Sequence, residues 1–239
     1  MGQHGECRPL VRLALWSVLF ALGLAGAPAA RAEGCRLALL LALDVSSSVD
    51  AEEYSLQKQG IAAALSDPDV RGALLDGDQR VALSIYEWSG RRQSTVVLPW
   101  VLLDSAATLQ GAVATLLAAP RSFDRFPTAM GFALGFGSEL LREAPPCTRQ
   151  VIDISGDGIT NDGFRPQQAY QHFPFAGVTV NGLAVMGSDP RVVEYFRGEV
   201  AHGPGAFVEI AEGYQDFRRA MTLKLFRELN DMIVGSLEP

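Results

Sequence analysis

Short apolar runs of strand length punctuate this chain, and between them lie longer stretches whose apolar residues recur every three or four positions. The run Arg36–Leu43 is almost continuously aliphatic, the pattern of a strand buried on both faces. From about Ala51 to Leu65, Tyr54, Ile61, Ala62 and Leu65 fall at helical spacing, and Asp67-Pro68 breaks that helix. Val81 to Tyr86 alternates as a strand. Thr95 to Leu98 predicts an antiparallel neighbour across the turn Gly90-Arg91-Arg92. Ala106–Leu117 and Ala129–Leu141 predict helices. Strands follow at Arg149–Ile154 (ended by Gly156), Val178–Val185 and Ala206–Ile210, with a short helix near Val192–Phe196. Gln215–Met232 predicts a closing amphipathic helix with Phe217, Met221, Leu225 and Leu229 on one stripe. Strands alternating with helices predict an α/β fold: a doubly wound, mostly parallel sheet, Rossmann-like, with helices on both faces. Ligands of such sheets bind beyond the carboxyl ends of the strands.

The first 32 residues carry a different pattern. Arg8 and Arg12 precede the apolar run Leu13–Ala27, and Ala-Ala-Arg-Ala ends at Ala32. A basic start, a short apolar centre and an A-x-A site predict a secretory signal peptide over residues 1–32, with one domain over 33–239. The competing reading, a membrane anchor, needs about 20 apolar residues, more than this run supplies. A lipoprotein variant lipidated at Cys35 is weak, because the acidic Glu33 stands where small residues are expected. Later segments are too short to span a bilayer, so the mature chain is expected not to insert stably in a membrane. It is expected to be exported, to a bacterial periplasm or beyond.

Composition narrows the choices further. With 239 residues, 48% of them hydrophobic, the chain is long and apolar enough to bury one full core. The formal charge is −7. Cleavage after Ala32 removes three arginines and one glutamate, leaving 17 basic against 26 acidic residues, or −9. That balance argues against a nucleic-acid partner held through phosphates. Three cysteines without C-x-x-C spacing and three histidines argue against zinc and redox sites. Export leaves Cys35 and Cys147, an even pair in an oxidising compartment, where a disulfide is favoured.

Three loops carry one kind of chemistry. Asp44-Val45-Ser46-Ser47-Ser48 directly follows the first strand, with a carboxylate and two hydroxyls at alternate positions. Thr128 stands at a helix start, after Phe126-Pro127. Asp157-Gly158 follows the strand through Ile154. Every donor is a hard oxygen, which suits Mg²⁺, Mn²⁺ or Ca²⁺ better than zinc. Such a set leaves a divalent ion short of anionic ligands and able to accept a carboxylate from elsewhere. Each piece alone has a plainer reading: Asp44, the serines and Thr128 are all good helix caps. Asn161 and Asp162 either support Asp157 or shape a turn. Asp153, inside a strand, is expected to meet a neighbouring loop or backbone group. An EF-hand over Asp157–Gly163 is rejected because Ile159 stands where an oxygen is needed.

Asp44-x-Ser46-x-Ser48, then Thr128, then Asp157-Gly158, resembles the metal-ion-dependent adhesion site (MIDAS) of von Willebrand factor type A domains. The likeness covers roughly Arg36 to Asn230. Through Leu41–Val49, Pro99-Trp100 and Ile152–Gly158 the chain also resembles an uncharacterised family of secreted bacterial type A-like proteins, classed as a domain of unknown function. The resemblance implies that Asp44, Ser46, Ser48, Thr128 and Asp157 hold a metal, directly or through water. It implies a protein partner presenting an acidic side chain, without identifying that partner. It further implies that the strands leading to Asp44 and Asp157 are parallel neighbours. Cys35 and Cys147 then fall together at the opposite end, where a bridge over 112 residues stabilises by roughly 4–5 kcal/mol in the chain-entropy model. Two buried free thiols are the alternative.

Catalysis is the rival class. His172 and His202 are tied to no serine motif, and G-x-S-x-G is absent, which argues against a Ser-His-Asp hydrolase. A metal-dependent hydrolase using Asp44 lacks a second close carboxylate and a general base. A third possibility is a structural scaffold with a vestigial site. Tyr54, Glu87, Trp88, Arg91, Arg92 and Phe123–Phe126 mark a partner surface or packing around the loops.

Overall fold

The structure is a computed structural model that describes residues 1–2, 34–77 and 79–235. The expected signal peptide, beyond its first two residues, and its cleavage site lie outside these residues. Among the described residues, no helix is long and apolar enough to cross a membrane.

The aliphatic run forms the strand β1 (Cys35–Asp44), and every residue in it from Leu37 onward is buried. Its alternating side chains build two cores. Leu37, Leu39, Leu41 and Leu43 pack with Ile61, Leu65, Phe217 and Leu225 on one face. Ala38, Leu40 and Ala42 pack with Met130, Leu134, Ile154 and Phe196 on the other. The six strands lie in the order β3-β2-β1-β4-β5-β6: β2 (Arg80–Trp88), β3 (Ser94–Leu103), β4 (Cys147–Gly156), β5 (Val178–Val185) and β6 (Val208–Ala211). All neighbouring pairs are parallel except β2 with β3. Helices α1 (Ala51–Ser66), α2 (Pro68–Leu75), α3 (Ala106–Ala118) and α7 (Phe217–Gly235) cover the first face. The second face is covered by α4 (Met130–Leu141), α5 (Pro166–His172) and α6 (Val192–Tyr195). Chain order runs outward in opposite directions from β1 and from β4, so the crevice above that pair is the topological switch point where such sheets bind ligands.

At the opposite end of the same two strands, Cys35 faces Cys147 in register, and the two are joined in a disulfide with Cα atoms 4.4 Å apart. The expected pairing is therefore present.

Several boundaries differ from the sequence expectation for identifiable reasons. Asp67-Pro68 ends α1 and also starts α2: Pro68 occupies the first turn, and the Asp67 carboxylate accepts from the Asp69 and Val70 amides. The predicted strand Thr95–Leu98 extends to Leu103. Pro99 is tolerated because β3 is an edge strand, and the register shifts between Leu83 and Ile85 opposite it. There the Ser84 hydroxyl donates to Leu98 O at 2.8 Å. The short helix from Val192 runs on into a π-helical turn over Phe196–Val200. The last strand is displaced to Val208–Ala211, and a 3₁₀ turn, Tyr214–Asp216, precedes α7.

Asp153 departs most from expectation. It meets neither a loop nor a backbone group. Its side chain lies on the α7 face, with Oδ1 2.5 Å from Lys224 Nζ, and both residues are buried. Lys224 Nζ is also 3.8 Å from Glu228, which accepts from Asn181 Nδ2 at 2.6 Å. A lysine one helical turn before a glutamate supplied this cluster, and strand periodicity alone gives no sign of it.

Candidate metal centre

Asp44 closes β1, and the chain then turns over the sheet, with Val45 N donating to Trp88 O at 2.9 Å. The helix cap is built further on. Asp50 Oδ1 accepts from Glu53 N and Glu53 Oε2 accepts from Asp50 N, both at 2.8 Å, a complete capping box. Asp44, Ser46 and Ser48 are therefore not spent on capping α1. Asp44 Oδ1 accepts from Ser46 N at 2.8 Å. Its carbonyl accepts from Gln57 Nε2 at 2.9 Å, and Gln57 Oε1 in turn accepts from the Ser155 hydroxyl at 3.1 Å. That chain of bonds fixes β1, α1 and β4 beneath the turn.

The other two loops close on the same point. Ser46 Oγ lies 3.1 Å from Ser48 Oγ, and Ser48 Oγ donates to Asp157 Oδ1 at 2.8 Å. Thr128 Oγ1 donates to Ser46 Oγ at 3.3 Å. Thr128 does not cap α4 either, since Ala129 occupies the N-cap without a side-chain bond. Instead its backbone is clasped by Asn161: Thr128 N donates to Asn161 Oδ1 at 2.9 Å, and Asn161 N returns a bond to Thr128 O at 3.0 Å. Asn161 thus supports the site through Thr128, while Asp162 pairs with Arg91 at 2.7 Å. Asp44, Ser46, Ser48, Thr128 and Asp157, spread over 114 positions of sequence, form one hydrogen-bonded cluster at the switch point.

Its electrostatics are unbalanced. Asp44 and Asp157 are both buried, and Asp44 Oδ2 has no hydrogen-bond partner. Gly156 leaves room beside it: a Cβ there would stand 3.0 Å from that oxygen, a tight contact. Burial, and then the charge of Asp157, push the Asp44 carboxyl up to about 7, against the opposing bonds from Ser46 and the charge of Arg121. A buried carboxylate oxygen without a donor is costly, and a divalent cation satisfies it. Two carboxylates and three hydroxyls fit a hard cation. Among the described residues, no group of three or more His, Cys, Asp or Glu offers an alternative metal cluster.

Part of the expected partner surface is interior. Tyr54, Glu87 and Trp88 are buried: the Tyr54 hydroxyl donates to Glu87 Oε1 at 2.6 Å, and Glu87 Oε2 accepts from Ser122 N at 2.7 Å. Arg92, Asp124, Arg125 and Phe126 are exposed, with Phe126 edge-on to Phe123 at 5.8 Å. His202 stacks on Tyr170. The sequence reading missed Gln57, Ser89 and Arg121. The Ser89 hydroxyl donates to Phe126 O and Pro127 O, and its carbonyl accepts from Ala129 N, so it holds the Thr128 loop. A lone Ser, Gln or Arg outside any motif carries no local signal.

Residues 34–233 match the family described as "Protein of unknown function (DUF1194)". The chain belongs to that family. No curated protein matches this DUF1194 chain in sequence. Solved structures match it in fold. Proximal thread matrix protein 1 from the mussel byssus, with a zinc-occupied MIDAS motif, superposes with a TM-score of 0.60 at 17% identity, covering 80% of this chain and 48% of that one. A von Willebrand factor type A structure from Catenulispora acidiphila gives 0.60 at 14% identity, covering 82% and 43%. The PilB minor pilin from Streptococcus sanguinis gives 0.62 at 11% identity, covering 86% and 64%. The DUF1194 chain therefore has the type A fold, and it spans 43–64% of the length of these chains.

Proposed function

We propose that this DUF1194 chain is an exported protein-binding module of the adhesion or assembly kind, dependent on a divalent cation. Asp44, Ser46, Ser48, Thr128 and Asp157 hold Mg²⁺, with Mn²⁺ or Ca²⁺ as alternatives. When bound, the ion supplies a Lewis-acidic position for an acidic side chain of a partner protein. The observation that carries this reading is the buried Asp44–Asp157 pair, linked to three hydroxyls and left with an orphan carboxylate oxygen at the switch point. The zinc-occupied MIDAS motif of the mussel protein supports a divalent ion in this fold, and the mussel byssus and pilin structures support an extracellular setting. The disulfide between Cys35 and Cys147 supports an oxidising compartment. A non-enzymatic role is favoured because the hydroxyls of Ser46, Ser48 and Thr128 bond to one another and to Asp157 and, among the described residues, to no histidine.

Calorimetric titration of the mature protein with MgCl₂, MnCl₂ and CaCl₂ tests the reading. Saturable binding is expected for at least one ion and is expected to vanish in Asp44→Ala and Asp157→Ala, with circular dichroism unchanged. A folded wild type that binds none of the three would leave a structural scaffold as the better description.

A further inference from the structure

The turn carrying Asp44, Ser46 and Ser48 leaves the sheet with a series of carbonyls, of which Ser46 O accepts from Val49 N at 3.1 Å and Asp50 O from Tyr54 N at 3.0 Å. One side chain collects them. From the loop between α3 and α4, Arg121 Nη2 donates to Val45 O at 3.1 Å, Ser46 O at 3.1 Å and Val49 O at 2.7 Å. Its Nη1 donates to Asp50 O at 3.3 Å, and its Nε to Phe123 O at 2.6 Å. The guanidinium carbon lies 5.4 Å from the centre of the Tyr54 ring, whose hydroxyl is held by Glu87. The same Glu87 anchors Ser122, next to Arg121, through its amide. Carbonyls of Ser46 and its neighbours thus point at Arg121, while the Ser46 hydroxyl meets Thr128 and the Ser48 hydroxyl meets Asp157.

We propose that Arg121 is the positioning residue of the metal loop: it fixes the backbone of Val45–Asp50 by its carbonyls so that the side-chain oxygens of Ser46 and Ser48 face the ion. The inference rests on the metal reading above and deepens it. A planar fork with five donors spans four loop carbonyls and one of its own segment, whereas a lysine ammonium donates from a single point. Through Phe123 O, Arg121 also ties the first loop to the segment whose Phe126 O accepts from Ser47 N at 2.9 Å, which sets Thr128 relative to Ser46.

Two variants of the disulfide-intact mature protein test this: Arg121→Lys, which keeps the charge, and Arg121→Met, which keeps most of the stem. MnCl₂ affinity is read by calorimetry, and amide hydrogen exchange of residues 44–54 is read in EDTA. Arg121→Lys is expected to weaken Mn²⁺ binding about tenfold and Arg121→Met more, in the range seen when a support of a metal ligand is removed. Exchange should accelerate in 44–54 and stay unchanged in β5. A folded Arg121→Met protein with wild-type affinity and wild-type loop exchange overturns the proposal. If that variant does not fold, wild-type behaviour of Arg121→Lys overturns it, as does failure of both to fold, which would mark a general folding role. If the wild type binds none of Mg²⁺, Mn²⁺ and Ca²⁺, the metal reading fails by itself, and the exchange of 44–54, which needs no metal, still decides the role of Arg121; if it binds Mg²⁺ or Ca²⁺ but not Mn²⁺, that ion replaces MnCl₂ as the probe.

Discussion

Two pairs of buried carboxylates lie against the sheet, one with Asp153 inside β4 and the other with Asp157 just beyond its end, and they are completed differently. Beneath α7, Asp153 and Glu228 share the ammonium of Lys224, fully buried and 2.5 Å from Asp153, with Asn181 donating to Glu228. At the strand ends, Asp44 and Asp157 have hydroxyls and amides around them, and the nearby Arg121 spends its bonds on backbone carbonyls. A charge pair out of water must be compensated by a counter-charge. The first pair has its cation in the chain. Oxygens without a hydrogen bond occur in both, Asp153 Oδ2 as well as Asp44 Oδ2, but among the described residues no ion pair reaches Asp44 or Asp157, in the place where such folds take ligands. The contrast separates a cluster whose counter-charge is internal from one that, in the proposed function, takes its cation from outside.

The largest effect is expected from removing the built-in cation of the α7 cluster. Lys224→Met should cost about 3–5 kcal/mol in chemical denaturation, because it leaves Asp153 buried without its counter-charge. A loss under 1 kcal/mol would mean that the α7 cluster is no better compensated than the metal face.

A smaller effect, of opposite sign, is expected at the strand ends. The Asp44 carboxyl is raised, so the folded protein carries a penalty for ionising it at pH 8 in the absence of metal. Asp44→Asn in EDTA at pH 8 should therefore gain about 1 kcal/mol or more of stability, read from the denaturation midpoint, while losing the stabilisation that MnCl₂ gives the wild type. A loss of stability in EDTA would show that the pair is already compensated by the protein.

The smallest effect is a slope. Burial first, and then Asp153, push Glu228 up to about 7 against the pull of Lys224 and the bond from Asn181. A carboxyl raised in the folded state stabilises below its ordinary pKa, near 4.5, and that stability is lost as pH rises through about 7. With MnCl₂ saturating the Asp44 site, the melting temperature of the wild type should fall between pH 5 and 8 by more than that of Glu228→Gln. Equal slopes in the two proteins would remove Glu228 as the source.

Much of this was legible in the linear pattern because it depends on local periodicity. The continuous run of β1 announced a strand buried on both faces, and the alternation of elements announced the parallel sheet. Asp44, Ser46, Ser48, Thr128 and Asp157 stood out because each follows or opens an element whose end is itself readable. Helix α2 was missed because Pro68 reads as a breaker although it is also a favoured first residue of a helix. The displaced β6, only four residues long, has too little pattern to fix its ends. Asp153 was misassigned because its partner lies 71 residues away on α7.

By itself the sequence determined which oxygens sit at strand ends and which cysteines sit at strand starts, since both follow from where apolar runs begin and stop. The capping box of Asp50 and Glu53 is local as well, and it leaves Asp44 and the serines free for another role; tertiary structure decided that the three loops meet at one point. It also decided that Lys224 goes to Asp153 and not to the strand ends, and that Arg121 gathers the carbonyls of the first loop. The reason is physical: a motif fixes what a segment can donate, but the balance of charge and hydrogen bonds at a buried point is set by whichever distant side chains the packing brings within reach.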